Sequence, residues 1–208
     1  MSRSPPSTSR AHRPRHDEEL RRRLRRIARE LLAAEGPAAL SVRRVARLAG
    51  TSTTAIYSLF GSKQELLRSL CREGSRELAD AMEAAPRTHD PVADVEAMGW
   101  AYRSWALGAP LTYQVLFGGL LSGLELDEAD RLELHDGLDQ LGAAVARCIE
   151  EDGYLPGDPA EIAFVLWGLL HGLVSLELTG QVEGDAAEAA FACALRMVSR
   201  GLAPEPAD

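Results

Sequence analysis

The chain has 208 residues, of which 46% are hydrophobic, and a formal net charge of −8. That length allows one large domain or two small ones, each with a buried core. The three cysteines are widely spaced and odd in number, which argues against a zinc site and against a disulfide framework. We therefore expect a reduced, cytoplasmic protein with no metal and no cofactor.

The charge is unevenly distributed along the sequence. Residues 1–75 contain 16 Arg and Lys against 7 Asp and Glu, whereas residues 76–208 contain 7 against 24. A basic segment joined to an acidic one is typical of a nucleic-acid-binding module followed by a module of another kind. The alternative is that the two segments simply have solvent-exposed surfaces of opposite charge.

The first 16 residues are rich in Ser, Pro and Arg, and we predict a disordered arm there. Its arginines either follow a DNA backbone or reach into a minor groove, or they belong to an inert tail; they are Arg3, Arg10, Arg13 and Arg15. From Asp17 to Glu35, leucines and an isoleucine recur at helical spacing, which predicts an amphipathic helix.

The next stretch, from Ser41 to Lys63, predicts two short helices joined by a tight turn. Ser41 is a good N-cap for the first helix, Gly50 ends it, and Ser52 or Thr53 caps the second. Helix, glycine turn and helix form the helix-turn-helix pattern, whose second helix commonly enters the major groove of DNA. An ordinary trio of short helices is the alternative.

The second of these short helices carries small polar side chains and one phenol, which suit base edges and phosphates better than a plain solvated face does. Lys63 is the only lysine in the sequence and lies at the start of the following helix, where an anion is favoured. The predicted DNA-binding residues are Ser41, Arg43, Arg44, Ser52, Thr53, Thr54, Tyr57, Ser58 and Lys63.

Further helices are predicted from 62 to 83, 91 to 108, 111 to 117, 127 to 152, 158 to 179 and 185 to 201. No stretch alternates with the period of a strand. We therefore predict an all-α protein of about nine helices. Its predicted parts are the arm (1–16), a three-helix DNA-binding domain (17–75), a larger C-terminal helical domain (76–203) and a tail (204–208).

The helix predicted from 158 to 179 is apolar on nearly every side. Its most apolar run, from Ile162 to Leu176, spans 15 residues, whereas crossing a bilayer takes roughly 20. We therefore predict a helix buried in an interface and not a membrane segment. Two glycines four residues apart would allow another helix to approach closely, and the predicted homodimer interface comprises Trp167, Gly168, His171, Gly172 and Ser175.

Two groups of residues resemble a known family. The run from Ser41 through Ala49-Gly50, Ile56-Tyr57 and Lys63 is similar to the N-terminal domain of TetR-type transcriptional regulators. Trp167-Gly168 followed by His171-Gly172 resembles the WHG subgroup of that family. The resemblance implies that Lys63 contacts a phosphate.

The resemblance also implies a C-terminal domain that dimerises and holds a ligand cavity. The predicted pocket comprises four aromatic residues, which are Trp100, Trp105, Tyr113 and Phe117. From the residues alone, such a cluster is more often a plain core than a pocket. His171 is more simply interpreted as a hydrogen-bonded structural histidine than as a ligand to a metal.

These observations predict a dimeric repressor that a small apolar or aromatic effector releases from a palindromic double-stranded DNA operator. The alternatives are a DNA-binding protein that responds to no ligand and an all-α enzyme. The enzyme is disfavoured because the sequence has no phosphate-binding glycine loop, no nucleophile–base signature and no metal-ligand spacing.

Overall fold

The computed structural model describes residues 12–36, 39–119 and 124–204. Within these ranges the protein is all-α, with nine helices and no strand, as predicted. The helices are α1 (His12–Glu35), α2 (Val42–Leu48), α3 (Thr53–Phe60), α4 (Lys63–Glu83), α5 (Pro91–Gly108), α6 (Pro110–Phe117), α7 (Glu128–Glu150), α8 (Pro159–Leu178) and α9 (Gly184–Leu202).

The described residues form two compact units. The first unit comprises the described parts of Met1–Cys71 and Gln114–Glu125, and the second those of Arg72–Tyr113 and Leu126–Asp208. The division therefore falls at Cys71, a few residues before the predicted boundary at 75. It also assigns a short internal segment, which the sequence analysis placed in the C-terminal domain, to the first unit.

In the first unit, α1, α2 and α3 pack on one another around a small apolar core. Leu24 of α1, Val45 of α2 and Ile56 of α3 are completely inaccessible to solvent. Leu66 and Leu70 of α4 are buried as well. The periodic apolar residues predicted for these helices are thus the ones that hold them together.

Helix α1 begins at His12, five residues earlier than predicted. Pro14 lies in its first turn, where a missing backbone N–H costs nothing because that donor has no intrahelical partner. Arg13 and Arg15 therefore belong to a helix, which corrects part of the predicted disordered arm. Arg3 and Arg10 lie outside the described residues, and so does the predicted tail except for Pro204.

The second unit is a layered bundle in which α7 packs on α5 and α8, and α9 packs on α8 and α5. Val145 and Val174 are inaccessible, and Phe191 of α9 is almost so. A salt bridge also joins α5 to α8. Arg103 donates from Nε and Nη2 to the two carboxylate oxygens of Glu177, at 2.9 and 2.7 Å, and both side chains are nearly buried.

Helices α5, α7 and α8 of the second unit each begin after an aspartate N-cap, whereas α9 does not. Asp90 accepts from the N–H groups of Val92 and Ala93, and Asp158 accepts from that of Ala160. Helix α9 instead begins at Gly184, preceded by Glu183, which makes no side-chain cap. Asp185, at which the sequence predicted the start of this helix, lies within the first turn, where its negative charge interacts favourably with the positive end of the helix dipole.

Helix α8 is long and apolar enough to cross a membrane by length and composition. About 22% of that stretch is buried within the protomer. The same helix packs on α5, α7 and α9, and its Glu177 is paired with Arg103. These contacts favour a helix that is covered by protein, with part of its surface left for a partner.

Candidate DNA-binding and effector sites

The turn between α2 and α3 has the geometry of a helix-turn-helix. Gly50 has a φ of +63°, and the N–H of Thr51 donates to the carbonyl of Ala46 at 2.9 Å. The N–H of Gly50 donates to the carbonyl of Arg47. These paired bonds end α2 in the motif that favours glycine at the left-handed position. They fix the angle at which α3 leaves the turn.

Both short helices are capped by the predicted serines. Ser41 Oγ accepts from the N–H of Arg44 at 3.2 Å, and Ser52 Oγ accepts from the N–H of Ala55 at 3.1 Å. Ser62 Oγ likewise accepts from the N–H of Glu65 at the start of α4. Ser41 and Ser52 are thus N-caps, and a DNA contact by either hydroxyl stays a prediction.

Helix α3 buries one face and exposes the polar side chains predicted to contact DNA. Ile56 and Phe60 are buried, whereas Thr54, Tyr57 and Ser58 are exposed. Tyr57 is 51% exposed, which is high for a large aromatic residue. Thr53 is half-buried at the start of the helix. The outward surface of α3, with exposed Lys63 just beyond it, therefore offers hydroxyls, a phenol and an ammonium.

Two arginines near this surface help to hold the first unit together. Arg44 forms two hydrogen bonds with the carboxylate of Glu35 at the end of α1. Arg21 donates to the carbonyl of Leu59 at 3.2 Å, at the C-terminal end of α3, where a cation is favoured. Neither contact was predicted from the sequence. Arg44 was predicted to bind DNA, but of the pair Arg43 and Arg44 only Arg43 is exposed.

Removing the Ser52 cap provides a first prediction. We expect Ser52→Ala to lower the free energy of unfolding by about 1 kcal/mol, because the N–H of Ala55 loses its acceptor. Ser58→Ala, on the exposed face of the same helix, should change stability far less. Urea unfolding followed by circular dichroism measures both variants. Equal stabilities for the two would contradict the cap assignment.

The aromatic residues of the second unit form two separate clusters. The first cluster contains Tyr102, Trp105, Tyr113 and Trp167, with neighbouring ring centroids 5.2 to 6.4 Å apart. Trp100 instead packs against Phe191 at 5.1 Å, with the guanidinium of Arg103 over its ring.

The structure therefore does not gather the four aromatic residues of the predicted pocket into one cluster, and their role in ligand binding stays a prediction. Trp105 and Tyr113 belong to the first cluster and Trp100 to the second, and Phe117 falls in the first unit. Trp100 and Tyr102 are two positions apart on a helix, so their side chains point to different sides of α5. A small cavity in this unit is lined by Tyr102 and Trp167.

A polar network lies beside that ring cluster. The Nδ1 atom of His171 is 3.0 Å from the hydroxyl oxygen of Tyr102 and 3.1 Å from that of Tyr113. Burial lowers the pKa of His171, so its neutral form is favoured and Nδ1 can accept from one of the two phenols. Burial also raises the pKa of Tyr102 and of Tyr113, which keeps both hydroxyl protons in place.

The half-buried His171 leads to a second prediction, which concerns how the stability of the folded protein depends on pH. Its pKa is lower in the folded protein than the ordinary value of 6.5, so below about 6.5 the unfolded chain binds more protons than the folded one. Stability should therefore fall as the pH drops from about 7.5 to about 5.5. His171→Asn should lose that part of the dependence. If urea midpoints of the two proteins ran parallel over this range, the buried neutral imidazole would be contradicted.

The residues of the predicted interface lie on two different sides of α8, and their contact with a partner stays a prediction. Trp167 packs on Tyr102, His171 bonds the two phenols, and Ser175 is hydrogen-bonded to Tyr113, so these three residues point into their own protomer. Each next residue on a helix is turned by about 100°, which places Gly168 and Gly172 on another side. Both glycines are exposed, and a Cβ on either would meet no atom within 4 Å.

That outward side of α8 is apolar. Phe164 is 66% exposed and Val165 is 65% exposed, with Leu169 and Leu176 further along the same side. Helix α9 adds Met197, which is 68% exposed, and Cys193 one turn before it. So many large apolar side chains exposed on two packed helices are unusual in a monomer and mark an interaction surface. We call this set, with Gly168 and Gly172, the α8–α9 face.

Two segments of the chain match families of known proteins. Residues 24–70 match the family described as "Bacterial regulatory proteins, tetR family". Residues 95–199, about half of the chain, match "Tetracyclin repressor-like, C-terminal domain". The first match spans α2 and α3, and the second contains the aromatic clusters and most of the α8–α9 face.

This chain is also similar to individual proteins along most of its length. HTH-type transcriptional regulator Rv1816 of Mycobacterium tuberculosis is 28% identical over 81% of this chain and 84% of that protein. A protein of unknown function from Rhodococcus sp. RHA1 has a structure with a TM-score of 0.78 and 27% identity, covering 95% of this chain and all of that one. The TetR family transcriptional regulator PfmR from Thermus thermophilus shares the fold, with a TM-score of 0.70 and 24% identity over 88% of this chain and all of that one.

Proposed function

We propose that this chain, which belongs to the TetR family of bacterial regulatory proteins, is a cytoplasmic homodimeric repressor that a small effector releases from a palindromic operator. That it is a DNA-binding transcriptional regulator follows from the family and from its relatives. The ligand response, the repressor role and the operator symmetry are the parts we propose. The exposed polar surface of α3 and the exposed α8–α9 face support the symmetric binding to DNA, and the match to "Tetracyclin repressor-like, C-terminal domain" supports the repressor role and the ligand response.

The DNA-facing half of the proposal gives each exposed side chain a role. Thr54 and Ser58 lie one turn apart on α3 and would read base edges in the major groove, with Thr53 at the entry. Tyr57 and Lys63 would bind phosphates, which set the position of the helix without reading sequence. Arg43 would bind the phosphate backbone of the DNA at the edge of the site.

The dimer half of the proposal uses the α8–α9 face. Two copies related by a two-fold axis would cover Phe164, Val165 and Met197 of each protomer. The exposed glycines would let the two α8 helices approach closely. We also propose membership of the WHG subgroup, on Trp167-Gly168 and His171-Gly172. In this arrangement Trp167 and His171 support α8 from inside while the glycines make the contact.

The regulatory step is a shift between two populated conformations. An effector that binds the second unit better in one state favours that state by its difference in affinity, and it shifts nothing if that difference is zero. Release follows if the favoured state changes the separation of the two α3 helices, because each must reach its own half-site.

A paired measurement tests the ligand response. Thermal unfolding screens apolar compounds for binding, since a ligand of the folded state raises the melting temperature by mass action. Fluorescence anisotropy of labelled operator DNA then follows release by each binder. We expect at least one binder to weaken DNA binding tenfold or more. A set of tight binders that all leave DNA affinity unchanged would favour the ligand-independent DNA-binding protein.

An enzymatic role has less support. The relative from Mycobacterium tuberculosis is a transcriptional regulator, and the described residues contain no cluster of three or more groups suited to holding a metal ion. His171 is half-buried beside the ring cluster, and the two phenols already described lie against its ring. We therefore assign the polar network to ligand recognition or support of α8.

A further inference from the structure

The sequence around the helix-turn-helix carries charges of one sign only. Residues 36–64 contain three arginines and one lysine, and no aspartate or glutamate. The arginines are Arg43, Arg44 and Arg47, and all three lie on α2. Positive charge without neighbouring carboxylates attracts the phosphates of DNA. Which of the three can reach a phosphate depends on the side of α2 from which each one projects.

Arg44 is engaged within the protein. Its Nη1 donates to Oε2 of Glu35 at 2.7 Å, and its Nη2 donates to the other carboxylate oxygen. A pair with two parallel bonds holds the guanidinium in one place and offsets its charge. The bond from Arg44 lowers the pKa of Glu35, so this carboxylate stays ionised throughout the neutral range. Arg44 therefore adds little to the positive charge available to DNA.

Arg43 and Arg47 lie one turn apart on an exposed side of α2. Four residues make slightly more than one helical turn, so the two side chains project in nearly the same direction. Both are exposed, and neither forms an ion pair with another residue of the described ranges. The opposite side of the helix is buried and consists of Val42, Val45 and Ala46. We call the exposed pair, Arg43 and Arg47, the basic edge.

Two exposed arginines of α1 are paired instead. Arg22 lies 2.7 Å from a carboxylate oxygen of Glu19, and Arg26 lies 2.6 Å from one of Glu30. All four side chains are exposed, so α1 presents neighbouring charges of both signs to solvent. The number of arginines in the first unit therefore does not show by itself where its unpaired positive charge lies.

We propose that the basic edge binds neighbouring phosphates of one DNA strand in each half-site, so that Arg47 contacts DNA while Arg44 supports the fold. The first helix of a helix-turn-helix crosses the DNA backbone while the second lies in the major groove. Phosphates recur about every 3.4 Å of axis along one strand, and residues one helical turn apart have Cβ atoms roughly 5–6 Å apart. Such contacts position α3 without reading sequence. The inference deepens the proposed function and rests on it for DNA as the ligand.

The salt dependence of DNA affinity tests Arg47. Arg47→Ala should weaken binding to all sequences by roughly 10²-fold, and the slope of log affinity against log salt should fall by about one per subunit. Arg47→Lys keeps the charge and should keep the slope. Arg26→Ala removes an exposed cation from the same unit and is the matched control, with affinity and slope nearly unchanged. A wild-type slope in Arg47→Ala would overturn the proposal.

A double variant tests the role given to Arg44. Glu35→Gln combined with Arg44→Gln removes both charges of the pair and leaves the net charge of the chain as it is. We expect a lower urea midpoint together with a wild-type salt slope. If this variant lowered the slope as much as Arg47→Ala does, Arg44 would be the DNA contact and the proposal would be wrong.

Chemical modification detects the same contacts in the wild-type protein. Phenylglyoxal reacts with accessible guanidiniums, and mass spectrometry of the digested protein locates the modified arginines. Duplex DNA should protect Arg43 and Arg47, whereas Arg26 should react equally with and without DNA. Equal modification of Arg47 in both conditions would contradict the basic edge.

The same measurements separate this inference from the proposed function. If the wild-type protein binds selected DNA and Arg47→Ala keeps the wild-type slope, the DNA-binding function stands and the basic edge is wrong. If Arg47→Ala lowers the slope as expected and no effector releases the DNA, the basic edge stands and the ligand response fails.

Discussion

Gly172→Glu is expected to convert the dimer into a monomer that no longer binds specific DNA. The isolated protomer has room for the new side chain, since a Cβ at Gly172 meets no atom within 4 Å and the position is exposed. In the dimer, two-fold symmetry would place two carboxylates in an apolar contact. An unpaired charge buried in this way destabilises an interface by several kcal/mol.

The loss of DNA binding follows from geometry, because the substitution is remote in sequence from α3. A dimer presents two recognition helices to half-sites roughly 34 Å apart, whereas a monomer has only one. Sedimentation velocity at micromolar protein measures the oligomer, and anisotropy of labelled operator measures DNA binding. We expect the variant to sediment as a monomer with an unchanged helical circular dichroism spectrum.

Gly142→Glu is the matched control. Gly142 lies within α7, and a Cβ there also meets no atom within 4 Å, so the same substitution is made on a helix outside the α8–α9 face. This variant should remain dimeric and bind DNA normally. A dimeric Gly172→Glu protein with wild-type operator affinity would overturn the assignment of the α8–α9 face.

Cys193 gives an independent readout of the same interface. It is exposed in the protomer, whereas Cys71 and Cys148 are buried. It precedes Met197 by one turn on the α8–α9 face. Alkylation of Cys193 should therefore be slow in the wild-type dimer and fast in Gly172→Glu. Equal rates in the two proteins would place Cys193 outside the interface.

The second large effect concerns the DNA surface. Lys63→Ala should weaken binding to all sequences by roughly 10²-fold, because a homodimer loses one charged contact at each half-site. The slope of log affinity against log salt should fall by about one per subunit. Arg76→Ala, which removes an exposed cation from the second unit, is the control and should leave both quantities nearly unchanged.

Thr54→Ala should behave differently from Lys63→Ala. Thr54 is exposed on α3, and its hydroxyl can bond to a base edge. Its loss should cost about 1–3 kcal/mol at one position of each half-site and relax base preference there. The salt slope should stay as in wild type. If Lys63→Ala altered base preference while leaving the salt slope intact, the roles given to these two residues would be wrong.

The helices were predictable because their ends carry local signals. Ser41, Ser52, Asp90 and Asp158 each cap a helix within three residues of themselves, and Gly50 ends one through its positive φ. Such signals need no knowledge of the rest of the fold. The exception is α9, where Asp185 resembles a cap and lies in the first turn instead.

The contacts that the sequence analysis missed join residues far apart in the chain. Arg103 pairs with Glu177 across 74 positions, and Asp94 pairs with Arg147 across 53. Nothing in the spacing of either residue points to its partner, because the pairing depends on how the helices pack. The grouping of the aromatic rings also depends on how the helices pack. Trp100 and Tyr102 are near in sequence, yet their rings belong to different clusters.

Helix α8 shows a third reason why part of the structure could not be predicted from the sequence. It is apolar on most sides, so periodicity does not reveal which side faces its own protomer. The tryptophan, histidine and serine positions were therefore grouped with the glycines as one interface. Only the contacts of Trp167 and His171 with Tyr102 show which stripe is inward.

The central claim is that this chain binds DNA as a symmetric dimer through α3. Selection of bound sequences from random double-stranded DNA by the purified full-length protein tests it most directly. We predict an enriched inverted repeat whose half-site centres lie about one helical turn apart or a multiple of it. Recovery of no preferred sequence, or of a single site without an inverted copy, would contradict the account.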